Sequence, residues 1–351
     1  MSHPPTPYLR VDVARLRANI DRAAARAAAA GVALRPHVKT HKNLEIARMQ
    51  VAAGASGITV ATLGEAEVFV EAGFDDVFVA YPLWVDDRAA ERIRSLAQQS
   101  RVTIGVDSVP GATQAGRLLG DRVSALVEVD SGHHRTGVPP ERAAVVATAA
   151  AESGLDVGGV FTFPGHSYAP AGGAGAATDE ASALAIAADA LRSAGLEPRV
   201  LSGGSTPSLA DSDTSVLTEL RPGVYVFGDA QQWELGTTTP DLVALSARTT
   251  VVSHTGDRIV VDAGSKVLGA DRAPYASGFG RLPAHPGARV VQLSEHHAVV
   301  DLAGAPLPPL GSRLDVVPNH VCAAVNLVDE LWADTGGELV RWPVAARGRN
   351  A

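Results

Sequence analysis

Lysine is nearly missing from this 351-residue chain: it occurs at positions 39, 42 and 266, whereas 27 of the 30 basic residues are arginine. Where plain positive charge is wanted the chain uses arginine, so a lysine at 39 in RPHVKTHKN (35–43) asks for a chemical reason. Cysteine occurs once, at 322, which excludes an internal disulfide framework. No apolar run approaches the roughly 18 residues of a membrane helix, so no membrane partner is expected. No basic run exists and the net charge is −8, which argues against a nucleic-acid surface. MSHPPTPYLRVD lacks a charged segment followed by an apolar one, so no signal peptide and a cytoplasmic location are expected. With 46% hydrophobic and 19% charged residues, the composition is that of a folded globular protein, long enough for one large domain or two.

Short β-branched runs alternate with Ala/Leu/Arg segments of helical period. Strands are expected at 33–39, 57–62, 76–81, 102–107, 125–130, 157–163, 199–204 and 220–227. Helices are expected at 16–30, 43–54, 63–73, 86–99, 109–119, 139–153 and 176–195, with PAGGAGAAT (170–178) as a flexible loop. Eight strand–helix units over about 220 residues fit an α/β fold, a (β/α)8 TIM-type barrel, with a doubly wound open sheet as the competitor. Beyond Gly228 the pattern turns to β-runs joined by Gly, Pro and Asp turns. The division expected is a barrel at 8–235 and an all-β C-terminal domain at 236–351, with residues 1–7 packing against the latter.

On such a barrel, Lys39, Thr62, Tyr81, Asp130, the GHSY segment (165–168) and the GGST segment (203–206) fall at carboxyl ends of strands, where barrel active sites form. Gly203 and Gly204 let backbone approach an anion closely, and the Ser205 and Thr206 hydroxyls with nearby amides can ring a phosphate. Tyr225 in RPGVY would complete that cradle. A phosphate site together with a lysine suggests pyridoxal 5′-phosphate, because the cofactor aldehyde needs an amine that arginine cannot supply. A salt-bridged surface lysine is the plain alternative, and Lys42 is expected to be one.

RPHVKTHKN, VDSGHHRTG, FPGHSY, LSGGSTP, ELRPGVYVFGD and PNHVCAAVNL, in this order, resemble the D-threonine aldolase and D-serine dehydratase family, which has the alanine racemase fold. The resemblance runs from about residue 7 to the end. It implies a pyridoxal-phosphate barrel followed by a C-terminal β domain, with Lys39 as the Schiff-base lysine and Arg135 beside the pyridine nitrogen. It further implies Tyr168 near the cofactor, Ser205 and Thr206 on the phosphate, and His320 with Cys322 on a divalent metal ion. Some family aldolases resemble this chain less at Cys322, where they carry a carboxylate. The i, i+2 spacing of His320 and Cys322, on an expected strand, would turn both side chains to one face. Nitrogen plus sulfur suits Zn²⁺, with Mn²⁺ and Co²⁺ as alternatives.

The function expected is a pyridoxal-phosphate- and metal-dependent lyase acting on small D-β-hydroxy-α-amino acids. Retro-aldol cleavage of D-threonine-like substrates comes first, on Asn326 and Leu327, and dehydration of D-serine- or D-3-hydroxyaspartate-like substrates second. The general base stays open among His37, His41, His133 and His166. An amino-acid racemase and a non-catalytic cofactor carrier remain alternatives; a racemase needs a second base, and Tyr275 is the only tyrosine of the β domain. Fold-mates imply a homodimer.

Overall fold

Strand and helix propensities alternate along the first two thirds of the chain, and the computed structural model, which describes residues 4–351, follows them closely. Its elements are β1 (Tyr8–Asp12), α1 (Val13–Ala30), β2 (Ala33–Leu34), α2 (Leu44–Ala52), β3 (Ile58–Val60) and α3 (Leu63–Glu71). Next come β4 (Asp76–Pro82), α4 (Asp87–Leu96), β5 (Arg101–Val106), α5 (Val109–Leu119), β6 (Ser124–Glu128) and α6 (Ala143–Glu152). They are followed by β7 (Asp156–Phe161), α7 (Gly172–Ser193), β8 (Val200–Gly203), β9 (Glu219–Leu220) and α8 (Ala230–Glu234). The remainder holds β10 (Leu245–Thr255), β11 (Arg258–Val261), α9 (Ser265–Leu268), β12 (Gly280–Leu282), β13 (His285–Leu293) and β14 (Ala298–Asp301). It ends with β15 (Arg313–Pro318), α10 (Val321–Asn326), β16 (Glu330–Asp334) and β17 (Leu339–Pro343). No helix of the described residues is long and apolar enough to cross a membrane.

The chain falls into two units. One comprises the residues up to Arg22, Thr40–Met49 and Val224–Gly348; the other comprises Ala23–Lys39, Gln50–Gly223 and Arg349–Ala351. Of the segment 1–7 expected to pack with the C-terminal domain, residues 1–3 lie outside the described residues.

In the second unit eight parallel strands run in the order β2-β9-β8-β7-β6-β5-β4-β3. The ends of this order also meet: His37 bridges Thr59, Ser56 N–H donates to the Leu34 carbonyl at 2.9 Å, and Thr59 N–H donates to the Pro36 carbonyl at 2.8 Å. The sheet is therefore a closed barrel rather than the open sheet that competed with it. Parallel strands put every βα loop at one end, which is why the residues gathered at strand ends can share a site. Helix starts are capped locally: Thr62 accepts from Glu65 N–H, Asp86 from Ala89 N–H and Ser108 from Gly111 N–H. Phe78 and Phe161 pack edge to face at 5.1 Å with Leu126 inside the barrel. Over both rings lies the buried Arg221 guanidinium, 5.5 and 5.3 Å from their centres, held by Ser202 Oγ and the Thr162 carbonyl.

Two expectations fail here. Residues 170–178 are not a flexible loop, because α7 begins at Gly172. Four of the segment's nine residues are alanine, the best helix former, and together with the alanine-rich run that follows they outweigh the three glycines inside the helix. The last barrel strand is two residues long, β9, and the expected run to 227 breaks at Pro222-Gly223 into a 3-10 turn, Val224–Val226.

In the first unit nine strands form one sheet, ordered β11-β14-β13-β12-β15-β10-β1-β16-β17. The 11-residue β10 also pairs with β11, so β10, β11, β14, β13, β12 and β15 close into a ring. Leu245, Ala247, Thr249 and Val251 alternate inward along β10, the period of two expected of a half-buried strand. The pattern read beyond Gly228 as all-β is this sheet, and β1 joins it by pairing antiparallel with β10 and parallel with β16.

Candidate active site

At the carboxyl end of the barrel, one ring organises four of the expected site residues. Phe163, just past β7, has Lys39 Nζ 6.0 Å from its centre and the Arg135 guanidinium 5.2 Å from it. His133 meets the same ring edge to face at 5.5 Å and Tyr168 lies tilted at 6.2 Å. Both cations lie within reach of the ring quadrupole. Phe163 itself is not singled out by the sequence; its only signal there is its place at the end of an expected strand, as the first residue of FPGHSY.

Two loops build this end by interlocking glycines and histidines. A Cβ on Gly165 would lie 2.5 Å from the His133 ring, and one on Gly132 would lie 3.2 Å from the His166 ring. Each glycine thus makes room for the other loop's imidazole, and Gly132 also needs its positive φ of 118°. Asp130 ties the first loop down, accepting the Gly132 and His134 amides and the His134 ring. Those bonds hold its carboxyl below the usual range against the opposing effect of burial. His166 Nε2 lies 3.2 Å from Asp179. Burial, then the neighbouring Arg135, lower the His133 pKa, so its imidazole is neutral at pH 7 and can accept a proton.

Lys39 itself sits in the 3-10 turn Val38–Thr40 and is half-buried. His37, two residues earlier, is spent on the barrel closure through its backbone, donating its N–H to the Pro222 carbonyl at 3.0 Å. The GGST segment follows β8. Ser205 Oγ lies 2.8 Å from both Ser167 Oγ and Ser208 Oγ, and all three hydroxyls are buried. The Gly204 amide, at φ 86°, is directed at Glu180 rather than outward, and the Ser205 amide at Ser208 Oγ. The Ser205 and Ser208 hydroxyls and Thr206 are the donors this loop would offer an anion, the Gly204 and Ser205 amides being turned to Glu180 and Ser208. Lys39, Arg135 and Tyr168 about one ring, with a serine-lined loop after the next strand, fit pyridoxal phosphate in donor chemistry: an amine, a cation and hydroxyls.

Tyr225, His41, His320 and Cys322 belong to the other unit. Tyr225 lies in the 3-10 turn after Gly223. His41 is fully buried and its Nδ1 accepts the Asn43 N–H at 3.1 Å, while Asn43 Oδ1 accepts the Ile46 N–H at the start of α2. Lys42 is not the surface lysine expected: it is 5% exposed, has a positive φ of 47°, and donates to Asn326 Oδ1 at 2.9 Å.

His320 and Cys322 are not on a strand. His320 is the extended N-cap residue of α10 and Cys322 lies in its first turn; the proline at 318 ends β15 and the chain bends there. The side chains still meet, because an N-cap residue and the second helical residue both border the helix start. Cys322 hydrogen-bonds to the His320 ring, and its charge, ahead of the hydrogen bond to Asp229, pushes the His320 pKa up to about 11. Cys322 Sγ is also 3.4 Å from Thr40 Oγ1. Asp229, fully buried, lies 3.5 Å from His320 Nδ1 and accepts the Gln232 and Val321 amides. One carboxylate therefore caps α8, holds the start of α10 and orients the imidazole, as carboxylates do behind metal-bound histidines. Asp229 closes the segment ELRPGVYVFGD, and its sequence context alone assigns it no role. Adjacent nitrogen and sulfur donors with a carboxylate behind them fit a divalent ion of the zinc type. Among the described residues no group of three ligating side chains gathers, so water or substrate would fill the remaining positions.

Comparison with known proteins places this arrangement. Residues 11–231 match the model of the alanine racemase N-terminal domain, and residues 244–333 match one described as "Putative serine dehydratase domain". The D-threo-3-hydroxyaspartate dehydratase of Delftia sp. (strain HT23) is 36% identical over 346 residues, 91% of each chain. Its solved structure superposes with a TM-score of 0.89 at 33% identity, covering 97% of each chain. Two solved variants of that dehydratase replace a histidine and, two positions on, a cysteine by alanine, and the cysteine variant is described as the metal-free form. The D-threonine aldolase of Arthrobacter sp is 32% identical over 358 residues, 98% of this chain and 93% of that one. The chain thus belongs to the alanine racemase-fold family that contains these D-3-hydroxyaspartate dehydratases and D-threonine aldolases.

Proposed function

We propose that the protein is a pyridoxal-phosphate- and divalent-metal-dependent lyase of small D-β-hydroxy-α-amino acids, and that elimination of the β-hydroxyl is its principal reaction. The observation that carries the choice is the His320–Cys322 pair backed by Asp229. It has the histidine and cysteine spacing altered in the solved dehydratase variants, one of which is metal-free. Retro-aldol cleavage is the second reading, favoured by the 32% identical aldolase. Asn326 does not separate the two, since its side chain holds Lys42, and Leu327 is 40% exposed.

When bound, the cofactor supplies an aldehyde that captures the substrate amine and a ring that takes up electron density released at Cα. Lys39 Nζ would form the resting attachment and, once displaced by substrate, take the Cα proton. Arg135 would hold the pyridine nitrogen and, as a cation with no proton to give it, would leave the ring a weaker electron sink than a carboxylate partner would. A divalent ion on His320 and Cys322 would supply Lewis acidity toward the β-hydroxyl. His133, neutral at pH 7, is the histidine best suited to move a proton among His37, His41, His133 and His166; His166 is engaged with Asp179. Ser205, Thr206 and their loop would hold the phosphate, with Tyr225 as a further donor. Zn²⁺ is the ion we favour, with Mn²⁺ or Co²⁺ able to replace it, and a homodimer is the assembly we propose.

Product analysis distinguishes the two reactions: a 2-keto acid with ammonia from D-threo-3-hydroxyaspartate or D-serine supports elimination. Glycine with an aldehyde as the main products from D-threonine would instead select the aldolase reading. Replacing both Ser205 and Thr206 by alanine should weaken cofactor retention, each lost charge-assisted hydrogen bond contributing about 1.5–3 kcal/mol. Equilibrium dialysis reads this, and undiminished retention in the double variant would move the phosphate elsewhere.

A further inference from the structure

The most deeply buried carboxyl of the barrel has no part in the chemistry above. Glu180, on α7, is 0% exposed and lies directly under the serine-bearing loop. Its Oε1 accepts the Gly204 N–H at 2.6 Å, while its Oε2, buried, has no hydrogen-bond partner. A Cβ on Gly203 would stand 2.3 Å from Oε1, so a glycine at 203 is what lets the carboxyl reach this place. Gly204 has φ 86°, a conformation that a bond to its amide helps to fix. The loop's path into Ser205 thus rests on a carboxyl group from the helix behind it.

We infer that Glu180 is a positioning residue for the phosphate loop, and that gain of charge on its carboxyl loosens the loop's hold on a bound phosphate. The inference rests on the reading that Ser205 and Thr206 hold the cofactor phosphate. Burial raises the Glu180 pKa to about 7, against the opposing effects of the Gly204 amide and of Arg221, the charged group that acts on it among the described residues. Arg221 cannot neutralise it directly, since its guanidinium is committed to Ser202 Oγ at 2.7 Å and the Thr162 carbonyl at 2.5 Å. Below pH 7 the neutral carboxyl supports the loop through its carbonyl oxygen and sets no charge against the phosphate. Above pH 7 a carboxylate stands one residue from Ser205 and repels the phosphate dianion. The same group affects stability with the same sign. Its folded pKa exceeds the unfolded 4.5, so its contribution is complete below 4.5 and is lost as pH rises through about 7.

The test uses the holoenzyme. Wild type, Glu180→Gln and Ser205→Ala are dialysed to equilibrium at about pH 6 and about pH 8.5, and retained pyridoxal phosphate is quantified. Glutamine keeps the carbonyl acceptor for Gly204 but cannot ionise. Wild type should lose affinity between the two pH values about tenfold more than Glu180→Gln. The cofactor-free urea midpoint should fall over the same range in wild type and stay level in the variant. Equal pH dependence of retention in the two proteins would overturn the inference. Ser205→Ala separates this from the wider reading: unchanged retention there means the phosphate lies elsewhere, whereas weakened retention with no Glu180 effect rejects only the role given to Glu180.

Discussion

Lys39→Ala should leave a folded protein without measurable lyase turnover, a loss of at least about 10²–10⁴-fold, and borohydride should no longer fix the cofactor to the chain. The argument is chemical before it is structural. Arginine meets the need for positive charge almost everywhere in this chain, yet cannot serve as a primary amine. Of the three lysines, Lys42 is buried against Asn326 and Lys266 pairs with Glu295 at 2.7 Å. Lys39 alone lies on the aromatic ring that also carries Arg135. Reduction of the loaded wild type followed by peptide mapping should find the cofactor on Lys39. Label on Lys42 or Lys266 would refute the assignment.

Removal of metal should be equally damaging while leaving the cofactor in place. Chelation is expected to abolish turnover without changing the bound-cofactor absorbance, and Zn²⁺ should restore it. His320→Ala should bind no stoichiometric metal and fall by at least about 10²-fold in turnover, with added Zn²⁺ giving no recovery. Asp229→Asn keeps the size of the orienting group and loses its charge, and should weaken metal affinity by about 10–100-fold. Metal content measured by atomic emission alongside activity separates these outcomes. Full activity in chelated wild type would remove the metal from the account.

The barrel was legible because its strands are short β-branched runs and its helices have apolar faces; α5, expected at 109–119, spans those residues. Closure was not, since it depends on backbone bonds between 34–36 and 56–59 that no residue type announces. Local composition misled at 170–178, where glycine suggested a loop although alanine carried the helix, and at 320–322, where an apolar β-like run hides a turn. At that turn a helix start, not the strand face expected, brings imidazole and sulfur together. Lys42 was misjudged because a partner 284 residues away, Asn326, cannot be read from a neighbourhood. Phe163, Asp229 and Glu180 were missed for a related reason. Each acts by holding another side chain or amide, and such roles depend on contacts across elements rather than on motif chemistry.

The central claim is bond cleavage with D stereochemistry, and one measurement addresses it directly. Purified protein loaded with pyridoxal phosphate and Zn²⁺ is given D- and L-threo-3-hydroxyaspartate separately, and substrate loss, keto acid and the opposite enantiomer are followed by chiral chromatography. The account predicts consumption of the D isomer with stoichiometric keto acid and ammonia, and no change in the L isomer. Interconversion of the two enantiomers without cleavage, or consumption of the L isomer alone, would contradict it.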